Sequence, residues 1–381
     1  MGMKALHLNR NTVLHLIDSG GVYGIERMII GLLPKLKQRG YDVALACLNA
    51  PKYSGPGIKD ILTGSEVNVF YPNCSDKFGL VSFLYLFRIT RFYNPKIIHL
   101  HGYKATIIGG CFSLLMRIPC VATYHIESKY LPNLAKYVKI ETQVLKKIRG
   151  IVAVSYPIKK ELEHRGVSNG RIRVIPNGID DLYTVDKGER VHVKNSGKYP
   201  LILFVGRLIE KKNVHLLVSV IARLKQEFPQ IGLMVAGDGP YKAKLVQQVK
   251  RLNLVESVNF LGHVDDVYPL YKMCDCFVLP SKTEGMPIAL LEAMSCEKPI
   301  VVSAVGSIPN IVTHKINALL VEPGNVDSLY KQIKGIIYDK TLREYLANNA
   351  RKRYLQHYTS DIMASQYDAF YQKIIKRYVS Q

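Results

Sequence analysis

The stretch CFVLPSKTEGMPIALLEAMS, residues 276–295, carries the pattern on which the fold assignment depends. Its first four residues are mostly apolar, a loop with glycine and proline follows, and apolar residues then recur at helical spacing. Pro287 suits the first turn of that helix, because no backbone N–H group is needed there. A short apolar strand followed by a loop and a helix is the repeating unit of a parallel sheet covered on both faces.

The same alternation of strand and helix extends in both directions along the chain. The predicted strands are Thr12–Ile17, Asp42–Leu48, Lys96–His101, Pro119–Tyr124, Gly150–Val154, Leu201–Val205, Gly232–Ala236, Ser257–Phe260, Cys276–Leu279, Pro299–Val302 and Ala318–Val321. Predicted helices include Ile25–Arg39, Asn213–Phe228, Tyr241–Leu252, Pro287–Ser295 and a long helical stretch, Asp327–Arg377, with a break near Tyr358–Ser360.

The chain is long enough for two domains, since 381 residues exceed the size at which single cores stop growing. The alternation disappears between Asp181 and Pro200, where polar residues accumulate. We therefore predict an N-terminal domain over residues 1–185, a linker over 186–200 and a C-terminal domain over 201–360. The last helix, 361–381, is expected to pack back on the N-terminal domain.

The net charge of +22 is the most unusual bulk property of the chain. Such a charge attracts phosphates, nucleic acids or anionic membranes. The N-terminus has no pattern of a signal peptide, and the longest charge-free apolar run, Ala105–Met116, is too short to span a bilayer. The seven cysteines favour buried free thiols in a reducing compartment. We expect a cytoplasmic protein, or one that lies peripherally on the cytoplasmic face of the membrane.

Two loops that follow predicted strands carry charges suited to an anionic ligand with hydroxyl groups. Arg207 follows strand 201–205 and Lys212 comes five residues later, so a guanidinium and an ammonium group can meet phosphate oxygens. Glu284 lies in the loop after strand 276–279, and Glu292 lies inside the next helix. Because ligands settle at the carboxyl ends of parallel strands, these groups predict a site for a sugar nucleotide.

An early glycine-containing loop, SGGVYGIE at 19–26, follows the first strand and opens a helix. Gly20 and Gly21 permit close approach of the backbone to a phosphate, and the helix N-terminus offers N–H groups. The dinucleotide fingerprint G-x-G-x-x-G is not matched, and a tight turn that binds nothing stays open as the alternative.

Glu284 and Glu292, with Gly-Met-Pro between them, resemble the E-x7-E motif of the family-4 retaining glycosyltransferases of the GT-B fold. The resemblance covers nearly the whole chain. Its other motifs are the early Gly-Gly loop, His-Leu-His at 99–101, Thr-Tyr-His at 123–125, Val-Ser at 154–155, PNGID at 176–180, VGRL at 205–208 and AGDGP at 236–240. It implies an α/β protein with two Rossmann-like parallel-sheet domains facing a cleft, the N-terminal one for the acceptor and the C-terminal one for the donor.

The resemblance also implies a role for each matching residue. The catalytic candidates are His125, Arg207, Lys212 and Glu284. The donor-binding candidates are Gly20, Gly21, Arg207, Lys212, Gly262, His263, Val264, Glu284, Gly285, Met286, Pro287 and Glu292. His101 and Tyr23 are candidates for the acceptor. Lys211 is the weaker alternative to Lys212, because the family lysine usually precedes glycine or asparagine. No metal or other cofactor is implied, since the nucleotide sugar is a substrate and cations with amide dipoles neutralise its charge.

The resemblance implies transfer of a hexose or N-acetylhexosamine, with retained configuration, from a nucleotide sugar to a saccharide or lipid-linked saccharide. UDP is the commonest nucleotide in the family, and the products serve cell-surface polysaccharide, lipopolysaccharide or glycolipid synthesis. The many lysines and arginines between 130 and 173 suggest contact with an anionic membrane surface. The apolar and basic stretch 80–93 would add to that contact, although we favour a buried helix there.

Three other functions fit parts of the sequence. A sugar-nucleotide epimerase or a phosphorylase would share the fold, but the acid/base carboxylates of the former and the lysine-anchored cofactor of the latter are not evident. A nucleic-acid-binding protein would explain the charge, yet the sequence has no zinc spacing or RNA-binding motif. We therefore favour the transferase and expect no nucleic-acid partner.

Overall fold

The computed structural model describes residues 11–18, 24–49, 57–72, 80–125, 135–183 and 200–379. Gly20, Gly21, Tyr23 and almost all of the expected linker at 186–200 lie outside these residues. The chain divides into two compact units. The first unit runs to Gly178 and includes the segment from Ser360 onward, and the second unit is Ile179–Thr359.

The described residues form strands and helices in regular alternation. The strands are β1 (Asn11–Ile17), β2 (Tyr41–Cys47), β3 (Asn68–Phe70), β4 (Ile97–His101), β5 (Cys120–Tyr124), β6 (Gly150–Ala153), β7 (Ile172–Val174), β8 (Leu201–Val205), β9 (Gly232–Ala236), β10 (Val258–Gly262), β11 (Cys276–Leu279), β12 (Ile300–Ser303) and β13 (Leu319–Val321). The helices are α1 (Gly24–Gln38), α2 (Ile58–Ile61), α3 (Leu80–Tyr93), α4 (Tyr103–Met116), α5 (Ala135–Leu145), α6 (Tyr156–His164), α7 (Val214–Leu224), α8 (Lys242–Arg251), α9 (Tyr268–Met273), α10 (Ile288–Ser295), α11 (Ile308–Ile311), α12 (Val326–Tyr338), α13 (Lys340–His357) and α14 (Ser360–Val379).

The first unit is built on a parallel sheet of seven strands in the order β3-β2-β1-β4-β5-β6-β7. Every residue of β2, β4 and β5 is buried, which explains why these strands are mostly apolar and do not alternate with exposed polar residues. The last helix, α14, packs against α1 in this unit. The Tyr41 hydroxyl donates to the Asp368 carboxylate of α14 at 2.7 Å.

The second unit is built on a parallel sheet of six strands in the order β10-β9-β8-β11-β12-β13. Strand β8 pairs with β9 on one side and with β11 on the other, so the strand order reverses between β8 and β11. The loops after β8 and β11 therefore leave the same edge of the sheet side by side. Such a switch point is the usual ligand site of an open parallel sheet.

Two short strands of the first sheet were missed by the sequence pattern. Strands β3 and β7 have three residues each and lie at the two edges of the sheet. Asn68 and Arg173 in them are exposed, so neither strand has the continuous apolar run of the buried strands. The sequence pattern therefore predicted the five inner strands of this sheet and missed the two edge strands.

The boundary between the units lies earlier than the sequence suggested. Residues 179–183, which we had included in the N-terminal domain, belong to the second unit. The Leu182 amide donates to the Ser295 hydroxyl at 3.0 Å, and the Arg351 guanidinium holds Asp181 at 2.6 and 2.7 Å. The sequence pattern placed these residues before the linker, but their polar groups are partners for Ser295 of α10 and Arg351 of α13.

Helix α3 differs from our expectation of a buried helix. Its inner side is buried through residues such as Leu86, but Val81, Leu84 and Phe92 are 43%, 49% and 59% exposed. The helix therefore has apolar residues toward solvent, and because apolar residues occur on both of its sides, the sequence did not separate this face from the inner one. The residues described contain no helix with both the length and the apolarity needed to cross a bilayer.

Candidate functional site

The loops after β8 and β11 are joined directly at the switch point of the second sheet. The Lys282 amide donates to the Lys211 carbonyl at 2.8 Å. Gly306, after β12, approaches the second loop so closely that a Cβ atom there would lie 1.8 Å from the Glu284 carbonyl oxygen. Its φ of +54° also favours glycine. The β11 loop is thus held by backbone contacts on both sides.

Lys212 and Glu284 form a close ion pair in this edge of the sheet. The Lys212 ammonium nitrogen lies 2.5 Å from one carboxylate oxygen of Glu284, and the Ser281 hydroxyl donates to the same oxygen at 2.6 Å. Glu284 is only 8% exposed. A buried carboxylate needs such partners, because an unpaired charge removed from water is unfavourable by several kcal/mol.

Two more cations, Lys211 and Arg207, belong to the loop that follows β8 and carries Lys212. Burial lowers the pKa of Lys211, and the positive charges of Lys212 and Arg207 lower it further, while Glu284 acts in the opposite direction. Arg207 itself is exposed at the end of β8. Three cations and one carboxylate in the two joined loops leave an excess of positive charge suited to an anion with more than one negative charge.

Glu292 is held one turn inside α10. It is 4% exposed, and the single hydroxyl proton of Tyr271 is shared between its carboxylate at 3.1 Å and the Ala289 carbonyl at 2.9 Å. Burial, and next the Glu292 charge, raise the pKa of Tyr271 well above its usual value, so the phenol keeps its proton and remains a donor. The second of the two glutamates is therefore fixed by a partner that the sequence pattern did not reveal.

The remaining donor candidates lie in neighbouring loops of the same unit. The Ser307 hydroxyl donates to the Gly285 carbonyl, and Met286 and Pro287 are buried where α10 begins. The Gly237 amide donates to the Gly262 carbonyl at 2.6 Å, and this bond joins the ends of β9 and β10. His263 lies 3.3 Å from the Asp265 carboxylate, and Val264 follows it. The contribution of Gly262, His263 and Val264 to nucleobase binding stays a prediction.

In the first unit, His125 lies directly after β5 at the carboxyl edge of the sheet. Burial lowers its pKa to about 3, so the imidazole is neutral at physiological pH. Among the described residues, its Nε2 has no hydrogen-bond partner. His101, a candidate for the acceptor, is completely buried with its ring centre 5.8 Å from that of His125. The acceptor contact of His101 stays a prediction, and in the structure the His101 ring packs next to the His125 ring.

A group of buried histidines raises the question of a metal ion. His15, His99 and His101 have ring nitrogens within 4.8 Å of one another. Both nitrogens of His99 are already hydrogen-bonded, to the Tyr371 hydroxyl at 2.5 Å and to the Thr123 hydroxyl at 2.7 Å. A metal ion at this position would require His99 to give up one of these two partners.

Two Rossmann-like parallel sheets, one with cations and carboxylates at its switch point, define an α/β protein built to bind an anionic ligand. The family model described as "Glycosyl transferases group 1" matches residues 186–353. The model described as "Glycosyltransferase Family 4" matches residues 22–181. Together they account for most of the chain, which belongs to the glycosyltransferases that combine these two domains.

Similar proteins agree with this assignment. N-acetyl-alpha-D-glucosaminyl L-malate synthase of Bacillus anthracis is 27% identical over 94% of this chain and 95% of its own length. UDP-Gal:alpha-D-GlcNAc-diphosphoundecaprenol alpha-1,3-galactosyltransferase of Escherichia coli is 26% identical over 92% of this chain and 94% of its own. The crystal structure of Anabaena Alr3699/HepE in complex with UDP and glucose aligns with a TM-score of 0.84 at 22% identity, over 94% of this chain and 99% of that one. The fold is GT-B, as the sequence resemblance implied.

Proposed function

We propose that this glycosyltransferase moves a hexose or N-acetylhexosamine from a UDP-sugar to a saccharide or lipid-linked saccharide, with retention of anomeric configuration. The observation that carries the proposal is the Lys212–Glu284 ion pair between the joined loops at the switch point of the second sheet, where Arg207 and Lys211 belong to the same loop as Lys212. A nucleoside diphosphate sugar matches it, because the diphosphate supplies negative charge and the sugars supply hydroxyl groups.

Each charged group has a separate task in this proposal. Arg207 and Lys212 neutralise the diphosphate and stabilise the charge that develops on it as the sugar leaves. Glu284 accepts hydrogen bonds from hydroxyls of the transferred sugar, and Glu292 accepts them from the ribose. Neither carboxylate acts as a nucleophile, so the two-carboxylate scheme of glycosidases does not apply. Because cations and amide dipoles carry the charge, the reaction needs no metal or other cofactor.

Retention follows from attack on the face of the sugar that the leaving group vacates. The bond between the anomeric carbon and the phosphate oxygen breaks, and the acceptor oxygen bonds to the same carbon. The acceptor proton passes to the departing phosphate oxygen. His125 contributes as a neutral imidazole that contacts the reacting sugar, a role consistent with the low pKa that burial gives it.

The acceptor class is supported by the relative from Escherichia coli, whose name specifies a diphosphoundecaprenol-linked sugar. An acceptor of this kind would place the enzyme in cell-surface polysaccharide or glycolipid synthesis, with lipopolysaccharide as one product class. It would also bring the protein to the cytoplasmic face of a membrane as a peripheral protein.

Helix α3 and the end of α4 carry the surface that fits this location. Exposed apolar residues there, including Leu84, Phe92 and Leu115, stand beside the exposed cations Arg91 and Arg117. The sequence between Asp76 and Glu127 has no acidic residue. Apolar side chains interleaved with cations, and without carboxylates, favour an anionic lipid surface. We assign the membrane contact to this face, together with the basic residues that follow position 130.

Nucleotide binding provides the direct test of the donor site. We expect UDP and UDP-sugars to raise the melting temperature more than GDP or ADP sugars, and Arg207→Ala and Glu292→Ala to abolish both the shift and turnover. Arg251→Ala, an exposed cation at the end of α8, is the matched control and should behave as wild type. Wild-type UDP affinity and turnover in the two site variants would refute the assignment.

The alternatives give different products. A transferase releases the nucleotide only when an acceptor is added, whereas an epimerase converts the sugar nucleotide without acceptor and a phosphorylase requires inorganic phosphate. A steep, salt-dependent affinity for DNA combined with no affinity for any sugar nucleotide would favour the nucleic-acid function instead.

Vesicle binding tests the membrane face separately. Co-sedimentation with vesicles containing phosphatidylglycerol should increase with the anionic fraction and should weaken in Leu84→Ser. Ile316→Ser is the control, because Ile316 is equally exposed, at 49%, but lies in the second unit. Binding that ignores the anionic fraction, or that weakens equally in both variants, would contradict this surface.

A further inference from the structure

Four histidine rings lie next to one another in the first unit. His15 of β1 is opposite His99 of β4 in the strand register, and His101 lies two residues further along β4. The ring centres of His15 and His99 are 4.8 Å apart, those of His99 and His101 4.1 Å, and those of His101 and His125 5.8 Å. We call His15, His99, His101 and His125 the histidine row.

The histidine row is uncharged. Burial lowers the pKa of His15 and His125 to about 3, and it lowers those of His99 and His101 well below the usual value, with neighbouring imidazoles as a further cause. His15 Nδ1 and His101 Nε2 are 3.0 Å apart. One of these nitrogens must donate and the other accept, which is the arrangement that two neutral imidazoles make.

Helix α14 holds the row through a chain of hydrogen bonds. The Tyr371 hydroxyl shares a hydrogen bond with His99 Nδ1 at 2.5 Å, and His99 Nε2 shares one with the Thr123 hydroxyl at 2.7 Å. The Thr123 hydroxyl in turn lies 2.9 Å from the Tyr367 hydroxyl. Burial raises the pKa of both tyrosines, so the phenols keep their protons. All members of the chain are thereby neutral and can pair as donor and acceptor.

This chain reaches His125 by two routes. Thr123 stands two residues before His125, so the tyrosine contact to Thr123 fixes the end of β5. The His99 ring, bonded at both nitrogens, cannot rotate without losing a partner, and it supports His101, which packs next to His125. Among the described residues, His125 Nε2 has no hydrogen-bond partner of its own, so packing sets the direction of this nitrogen.

We propose that Tyr371 and Tyr367 of the last helix are positioning residues for His125, acting through His99 and Thr123. The inference rests on the role proposed above for His125 at the reacting sugar. It assigns to α14 a task beyond completing the first unit: the helix orders the rings that support a candidate catalytic residue about 240 positions earlier in the chain.

Histidine NMR tests the positioning without any substrate. Protein labelled with ¹⁵N-histidine is compared as wild type, Tyr371→Phe and Tyr41→Phe, with His125→Asn to assign the signal of His125. Tyr41 is the matched control, because its hydroxyl also bonds α14, at Asp368, but contacts no imidazole nitrogen. We expect the ring nitrogen signals of His99 and His125 to move in Tyr371→Phe and to stay in place in Tyr41→Phe.

An unchanged His125 signal in folded Tyr371→Phe, or an equal change in Tyr41→Phe, would overturn the proposal. Should Tyr371→Phe fail to fold, Tyr367→Phe interrupts the same chain at Thr123 and is judged by the same two criteria.

Turnover of UDP-glucose separates positioning from general stability. Tyr371→Phe should lower kcat roughly tenfold, since a small misplacement of a catalytic group costs up to about 10²-fold. The KM for UDP-glucose should stay nearly constant, because the diphosphate site lies in the second unit. A rise in KM at constant kcat, or the same loss in Tyr41→Phe, would contradict the inference. If the wild type does not consume UDP-glucose, the same comparison is made with UDP-galactose and UDP-N-acetylglucosamine; if it consumes none of these, the proposed donor class is wrong, and the NMR comparison decides the positioning.

Discussion

Acidification from pH 7.5 to 5.5 should destabilise the first unit, because the histidine row must stay neutral to remain buried. In the unfolded chain each imidazole binds a proton near pH 6.5. In the folded unit the pKa of His15 and His125 is about 3, and those of His99 and His101 are also far below the usual value. The unfolded state therefore binds more protons throughout this range. The stability that the neutral imidazoles contribute is fully present above pH 6.5 and is lost as the pH falls below it.

The size of the effect follows from proton linkage. Each imidazole that stays neutral in the folded state loses about 1.4 kcal/mol between pH 7.5 and 5.5, so four of them lose about 5.5 kcal/mol. Glu141 acts in the opposite direction, because burial raises its pKa to about 7 although Arg165 lies 3.7 Å away. Its protonation in the folded state returns about 2 kcal/mol over the same range. The net loss is about 3.5 kcal/mol.

Calorimetry and hydrogen exchange measure this loss. For a unit of roughly 200 residues, 1 kcal/mol corresponds to about 2–4 °C, so the melting temperature of the first unit should fall by about 10 °C. Because the chain has no tryptophan, calorimetry or circular dichroism is the suitable probe. Exchange in peptides of β1, β4 and β5 locates the effect, which matters because His215 in the second unit also has a pKa lowered by burial.

His15→Asn removes one imidazole of the row and should reduce the pH-dependent loss by about 1.4 kcal/mol. Replacement of the exposed His164 in the same unit by asparagine should leave the loss unchanged. A first unit equally stable at pH 7.5 and 5.5 would show that the row is charged or hydrated in the folded protein, and our account of it would be wrong.

Three further predictions concern the second unit. Gly306→Ala should lower the free energy of unfolding by about 1–3 kcal/mol through its contact with the Glu284 carbonyl. Gly335→Ala, inside α12 with open space around it, should raise the free energy of unfolding by about 0.5–1 kcal/mol. Urea unfolding measures both changes, and changes of the same sign would contradict the argument. Tyr271→Phe, which removes a donor to Glu292, should weaken UDP binding by roughly tenfold in calorimetric titration, in line with 1–3 kcal/mol for a buried partner; unchanged affinity would exclude this link. Glu284→Gln should preserve or strengthen UDP binding while it lowers turnover, and a parallel loss of both would argue against separate roles for the carboxylate.

Much of the fold could be predicted from the sequence, because strands buried on both faces leave a mark that periodicity detects. Strands such as β4 and β5 are buried at every position and mostly apolar, with His99, His101 and Thr123 as their polar residues. The edge strands β3 and β7 are short and partly exposed, so the same criterion fails there. The exposed apolar residues of α3 were also missed, since apolar residues on both sides of a helix give no indication of which side is buried.

The charged residues of the candidate site could be predicted from the sequence, but the residues that contact them could not. Arg207, Lys212 and Glu284 each follow a strand, and the carboxyl ends of parallel strands share an edge of the sheet. The strand order that makes β8 and β11 neighbours is a property of the tertiary structure. The contact of Tyr271 with Glu292 depends on that packing as well. The order of residue types along the chain therefore could not predict either the strand order or this contact.

The pairing of Lys212 with Glu284 makes donor binding an exchange of partners. In this structure the Lys212 ammonium group pairs with the nearly buried Glu284 carboxylate, which also accepts a hydrogen bond from the Ser281 hydroxyl. A diphosphate that attracts Lys212 and Arg207 releases part of the Glu284 carboxylate, which then accepts a hydroxyl from the sugar attached to that diphosphate. Inorganic phosphate attracts the same cations but offers no such hydroxyl, so it would leave the carboxylate without its lysine and without a replacement. A single ion pair can thus favour a sugar nucleotide over other anions, because only that ligand satisfies both halves of the pair.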